Sequence, residues 1–196
     1  MPYAPRVKSP RVAAILATAL VASAALVCIP EASASSLTAR YVGANCTTGA
    51  VDALGSARPK GGVTVDGVTA TFGADGIPTI ALASTARSAT TLGSVDLVKG
   101  KGRRVKVSDT LTLNYCGIGL KSKSVVDSSW SRGGPVTFPL KQLIYGWRKG
   151  IPGMQVGGTR LLVIPASLAY GSNPPPGGPI RPNETLAFVI TLSAIG

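Results

Sequence analysis

Histidine is absent from this 196-residue sequence, which excludes Ser-His-Asp and Cys-His nucleophilic machinery, histidine-bound zinc and imidazole acid-base work. Only eight Asp and Glu residues are present, widely spaced, so paired-carboxylate hydrolysis and a carboxylate metal cage lack their ligands. No metal and no cofactor are expected. The residues left with chemical capacity are few. Asp127 ends the β-branched pair Val125-Val126, and on its own it reads as a turn or cap residue satisfying local amides. Trp147 and Phe188 on their own read as ordinary core packing. Any chemistry in this chain must use few ionisable groups.

The elements that position these residues follow from periodicity. The stretch Leu140 to Gly157 reads as one short amphipathic helix of about two to three turns, with Leu143, Ile144, Trp147 and Ile151 at three-and-four spacing. Gly150 is expected at a left-handed C-cap, and Pro152 forbids continuation. Gly146 lies inside the helix beside Trp147. An interior glycine costs roughly 1 kcal/mol relative to alanine, which is tolerated where another backbone or a ligand must come close. Asp66-Gly67 sits between two alternating segments and predicts a hairpin. Further strands are expected at Pro78 to Leu82, Ser94 to Val98, Val105 to Tyr115 with a break at Ser108-Asp109, Val125 to Ser129, Thr159 to Ile164, and Leu186 to Leu192. The segment S-N-P-P-P-G-G-P-I-R-P-N must be a projecting loop. Many strands and one helix predict an α+β domain with the helix on a curved antiparallel sheet.

The N-terminal residues 1–34 read as a secretory signal: Arg6, Lys8 and Arg11 precede an apolar run from Val12 to Cys28, and Ala32-Ser33-Ala34 supplies a small-residue cleavage site before Ser35. An uncleaved membrane anchor is the alternative. Residues 35–68 are rich in Gly, Ala and Thr and read as an extension or loosely held linker, with regular structure expected from Val63 and the folded domain placed at 69–196. Export would put Cys46 and Cys116 in an oxidising compartment, either as a disulfide or as free thiols. The formal net charge is +12, favouring non-specific contact with an anionic cell envelope. The densest cluster, Lys99, Lys101, Arg103, Arg104 and Lys106, has no interleaved aromatic residue to stack bases, so no specific nucleic-acid partner is expected.

Six ordered motifs carry a resemblance: N-Y-C-G at Asn114, V-D-S-S at Val126, V-T-F-P-L at Val136, L-I-Y-G-W at Leu143, S-L-A-Y-G at Ser167 and T-L-A-F at Thr185. Together, from about Phe72 to Gly196, the chain resembles the FK506-binding protein (FKBP) type of peptidyl-prolyl cis-trans isomerase. The resemblance implies a five- to six-stranded antiparallel half-barrel wrapped around one short helix, Lys141 to Gly150, with an apolar pocket between them. It implies Trp147 as the floor on which a substrate proline sits, and Tyr115, Val126, Val136, Leu143, Ile144, Ile180 and Phe188 as substrate-binding positions, with the Ile144 amide facing a ligand carbonyl. Tyr170 matches a tyrosine that donates to a substrate carbonyl, and Asp127 the pocket carboxylate, so these two are the expected catalytic residues.

The implied activity is acceleration of Xaa-Pro isomerisation in extracytoplasmic protein folding, by a monomer whose partners are proline-containing polypeptides and macrolide ligands of the FK506 type. Val126 and Val136 stand where family members usually carry aromatics, implying a wider pocket and lower turnover. The approach to the helix at Lys141-Gln142 is also two residues shorter than usual in the family. The rival readings are a binding-only chaperone module and a cationic surface-binding protein.

Overall fold

Two runs of the chain, Leu161 to Ile164 and Leu186 to Ile190, are apolar at successive positions, not only at alternate ones, and both become central strands. The computed structural model describes residues 41–49, 51–55, 62–86 and 88–196. In chain order the strands are β1 Tyr41–Asn45, β2 Val51–Gly55, β3 Val63–Val65, β4 Val68–Phe72, β5 Pro78–Ala83, β6 Gly93–Val98, β7 Thr110–Gly119, β8 Val125–Ser128, β9 Val136–Pro139, β10 Thr159–Ile164 and β11 Leu186–Ile195. The helix α1, Tyr145–Gly150, lies between β9 and β10. The proposed signal at 1–34 falls outside the described residues.

The main sheet runs β6-β10-β11-β7-β8 with β9 paired to β7, and every pairing is antiparallel. It curves around α1 as the expected half-barrel. Its concave face carries Leu111, Leu113, Tyr115, Leu162, Ile164, Leu186, Phe188, Ile190 and Leu192, packed with Leu140, Trp147, Ile151 and Met154. The alternate residues Cys116, Ile118, Leu161, Val163, Ala187 and Val189 face the other way, and they too are fully buried. Both faces of this sheet are therefore covered, as near-continuous apolar strands require.

The cover on the convex face is a second antiparallel sheet, β2-β1-β5-β4-β3, which contributes Ala44, Cys46, Val68, Ala70, Ile80 and Leu82 to the shared core. Its hairpin at Asp66-Gly67 has φ of 49° and 77° and pairs Val65 with Val68, the positive dihedrals that a two-residue turn demands. Within the stretch expected to be loose, Tyr41–Asn45 and Val51–Gly55 are strands, and the two sheets belong to one compact unit, Leu37–Gly196. Small residues hid the period of two. Cys46 and Cys116 form a disulfide with Cα atoms 5.7 Å apart, joining the end of β1 to the middle of β7. Nearby, the buried Ser128 hydroxyl donates to the Cys46 carbonyl at 2.6 Å.

The helix is shorter than its pattern predicts. Leu140–Gln142 form a single 3-10 turn, Leu143 and Ile144 are extended, and only six residues are α-helical. Gly150 is not a left-handed cap; Ile151 closes the helix in the right-handed region, and the left-handed glycine is Gly153. Gly146 and Gly150 instead permit close approach to β10. A Cβ at Gly146 would lie 2.3 Å from Ile164 Cγ2, and one at Gly150 2.8 Å from Leu162 Cδ2. Arg160 of β10 donates to the Gly150 carbonyl at 2.7 Å while its Nε pairs with Asp96 of β6 at 2.6 Å, so β10 also satisfies the helix C-terminus. The strand expected from Val105 begins only at Thr110, because Asp109 turns back to accept from the Lys106 amide at 2.7 Å.

The disulfide closes a separation of 70 residues, for which the chain-entropy model gives roughly 4 kcal/mol. Reduction, or Cys46→Ser, should lower the melting temperature by roughly 5 to 15 °C in a calorimetric scan. An unchanged melting temperature would contradict the second sheet's being stapled to the half-barrel.

Candidate functional site

The open side of the half-barrel, between α1 and the concave sheet, holds a cavity of about 470 Å³. Its floor is Trp147, 4% exposed, whose ring stands edge-on to Tyr115 and to Phe188 with centroids 5.3 Å away in both cases and interplanar angles of 82° and 86°. Both are favoured aromatic geometries, which hold three rings in fixed orientation. Gly117 is needed opposite, since a Cβ there would lie 2.2 Å from the Phe188 ring. The walls are completed by Val126, Phe138, Leu143, Ile144, Tyr170 and Ile180, with Pro175, Gly178 and Pro179 of the loop.

Nine of the ten residues expected at the site are thus brought to one cavity. The exception is Val136. It shares the face of β9 with Phe138 but packs into the concave core, and Phe138 takes the place at the cavity wall. The sequence signal for Phe138 was the V-T-F-P alternation, in which one inward residue implies the next but one. Gln142 also lines the cavity despite the shortened approach. Among the described residues, the Ile144 amide, at the start of α1, donates to no protein acceptor, as the first amides of a helix do.

One corner of the cavity is polar. The Tyr115 hydroxyl donates to Asp127 Oδ2, and Arg132 donates through Nη1 to Asp127 Oδ1 and through Nη2 to the Tyr115 oxygen at 2.7 Å. Arg132 also lies 5.6 Å from the Tyr115 ring centroid. Sequence reasoning missed Arg132. It sits on the 3-10 turn Trp130–Arg132, which begins two residues after β8 and ends at left-handed Gly133, so a cation five residues after Asp127 and just before Gly-Gly was the available signal. Burial, then the bond to Asp127, pushes the Tyr115 phenol up to about 12 against the opposing pull of Arg132. The Arg132 guanidinium is held above its ordinary range chiefly by its bond to Asp127. Burial, and then the Asp127 charge, also raise Tyr170. Both phenols therefore remain neutral donors at physiological pH.

An aromatic floor, apolar walls and one hydroxyl-rich rim give a cavity shaped for a compact apolar ring, with hydrogen-bond donors at its edge. Comparison with known proteins agrees. The model of the FKBP-type peptidyl-prolyl cis-trans isomerase family matches residues 101–193. An FK506-binding protein of Streptomyces anulatus is 43% identical over 102 residues, 51% of this chain and 82% of that protein. The outer membrane protein MIP of Legionella longbeachae is 43% identical over 96 residues, 49% of this chain and 40% of that protein. Among solved structures, FkpA from Escherichia coli superposes with a TM-score of 0.50 at 39% identity, covering 56% of this chain and 50% of that one. The chain belongs to the FKBP-type peptidyl-prolyl cis-trans isomerase family.

The raised pKa of Tyr115 carries a sign. Because the folded value lies above the ordinary 10.0, the neutral phenol's contribution to the fold is present below pH 10 and is lost as pH rises from about 10 to about 12. Asp127→Asn removes the carboxylate that raises the value, so Tyr115 should ionise at lower pH in the variant, followed by NMR of ring-labelled tyrosine. An unchanged titration would contradict the hydrogen-bonded corner.

Proposed function

We propose that this protein is an exported peptidyl-prolyl isomerase that assists the folding of extracytoplasmic proline-containing polypeptides. The observation that carries the reading is the cage of Trp147, Tyr115 and Phe188 beside a polar corner, inside a cavity large enough for a proline ring and its neighbours.

Rotation about the Xaa-Pro bond is opposed by roughly 18 to 20 kcal/mol of amide resonance, and unaided it takes tens to hundreds of seconds. No covalent bond need break, which suits a chain lacking histidine. Resonance also separates charge across the amide, so the twisted transition state is less polar than either planar form. An apolar cavity binds that state better than the ground state, the condition for accelerating a step. Trp147 supports the proline ring, while Leu143, Ile144, Ile180, Val126 and Phe188 keep water away. The Ile144 amide and the Tyr170 hydroxyl each donate to a substrate carbonyl, fixing one side of the bond while the other turns. Asp127, oriented by Arg132 and Tyr115, acts through its field and not as a nucleophile or proton shuttle. Val126 offers less surface than an aromatic and lowers turnover. Macrolides of the FK506 type compete for the same cavity.

Export is supported by the signal-like residues 1–34 and by the disulfide, a bond that persists in oxidising compartments. Among the described residues no helix is long and apolar enough to cross a membrane. The protein acts as a monomer, and the cationic segment around Lys99 to Lys106 gives non-specific contact with anionic envelope polymers.

Protein recovered from culture should begin at Ser35 by mass spectrometry and accelerate cis-trans isomerisation of an Xaa-Pro peptide in a protease-coupled assay. Trp147→Ala should reduce the acceleration roughly 30-fold or more. Turnover at background in the parent protein would reject the enzyme reading, and full activity in folded Trp147→Ala would reject the pocket.

A further inference from the structure

Glu184 is 2% exposed, has no cationic partner among the described residues, and takes no part in the isomerisation chemistry above. A buried carboxylate must be satisfied by hydrogen bonds, and here backbone amides satisfy it. Oε1 accepts from the Lys121 amide at 2.9 Å and the Ser122 amide at 2.5 Å, and Oε2 accepts from the Arg181 amide at 2.6 Å. Space for the carboxylate is built in: a Cβ on Gly119 would lie 2.4 Å from Oε1.

The donors belong to two segments that flank the cavity from different sides. Lys121 and Ser122 form the turn from β7 into β8, the strand that carries Val126 and Asp127. Arg181 follows Ile180 at the end of the loop whose Pro175, Gly178 and Pro179 also line the cavity. That loop has little to hold it in place. From Ser172 to Ile180 its amides make two backbone hydrogen bonds among the described residues, both local and long: Asn173 to Tyr170 at 3.3 Å and Gly178 to Pro175 at 3.4 Å. Its position is therefore set at its ends, where Asn183 donates to the Gly171 carbonyl at 2.7 Å and Glu184 receives Arg181.

We propose that Glu184 is a positioning residue for the isomerase site: its carboxylate clasps the β7–β8 turn to the proline-rich loop and so fixes the distance between the Val126 and Ile180 walls. The clasp acts on substrate fit, resting on the pocket reading above, and leaves the polar corner of Tyr115, Asp127 and Arg132 in place. A carboxylate suits the task because both oxygens accept. Glutamine keeps the size but has one acceptor, so its amide group would face either the Arg181 amide or the Lys121 and Ser122 pair, donor against donor. A buried donor left unpaired displaces the segment that carries it.

Glu184→Gln should weaken binding of FK506, the probe for the cavity, by about fivefold or more. It should raise KM for an Xaa-Pro peptide while kcat stays within about twofold. A folded variant that binds FK506 within about twofold of the parent, or that loses kcat at unchanged KM, overturns the proposal. Hydrogen exchange on the parent protein gives a reading independent of any variant's folding. The Lys121, Ser122 and Arg181 amides should exchange slowly and the Gly177 and Gly178 amides fast, and uniform fast exchange rejects the clasp. Absence of FK506 binding by the parent protein counts against the pocket reading instead, and the exchange measurement still judges Glu184.

Discussion

The closeness of α1 to β10 is the constraint on which the rest of this domain depends. Six helical residues are too few to persist alone in water, so the helix exists only pressed against the sheet. Gly146 and Gly150 make the contact feasible by leaving room for Ile164 and Leu162. That contact places Trp147 at the depth where Tyr115 and Phe188 meet it edge-on. The same tryptophan is then both core and pocket floor. Stability and binding cannot be separated at this position: burying such a ring supplies part of the core's hydrophobic free energy, and the small surface it leaves exposed is what a ligand would meet.

Rigidity of the opposite wall comes from behind. In an isolated half-barrel the convex face would be solvated, but here a second sheet buries it with Val68, Ala70, Ile80 and Leu82. Two links from Cys46 reach the neighbours of the polar corner, the disulfide to Cys116 beside Tyr115 and the carbonyl that accepts from Ser128 beside Asp127. The corner itself is half-exposed, with Asp127 and Arg132 side chains 44% and 46% accessible. Exposed ion pairs of this kind contribute little to stability. The Tyr115–Asp127–Arg132 network is accordingly better understood as orientation than as folding free energy.

Much of this was legible in the sequence. The Asp66-Gly67 hairpin and a helix on a curved antiparallel sheet follow from turn chemistry and alternation, while the half-barrel and the nine expected site residues that line the cavity follow from the resemblance carried by the ordered motifs. The second sheet was not, because glycine and alanine fill four of the ten positions in Tyr41–Asn45 and Val51–Gly55, so the period of two carries little hydrophobic contrast. Its existence was nonetheless written in the partner strands: Leu161 and Val163, like Ala187 and Val189, are apolar where a solvated face would be polar. The helix start was misplaced for a different reason. Leu143 and Ile144 have helical spacing but extended backbone, since side chains at a pocket rim can reach the core from an extended segment as well as from a helix. Val136 and Phe138 share one face of a strand, and pattern alone does not say which of the two reaches the cavity. Arg132 and Glu184 act through contacts across turns and loops, for which periodicity offers no signal.

In the proposed mechanism a proline ring sits on Trp147 within the aromatic cage. A crystal structure of the protein with a short Xaa-Pro peptide tests it most directly. The ring should lie against the Trp147 face, bounded by Tyr115 and Phe188, with one flanking carbonyl within hydrogen-bond reach of the Ile144 amide or the Tyr170 hydroxyl. A peptide whose proline lies outside that cage, for example along the cationic segment from Lys99 to Lys106, would contradict it.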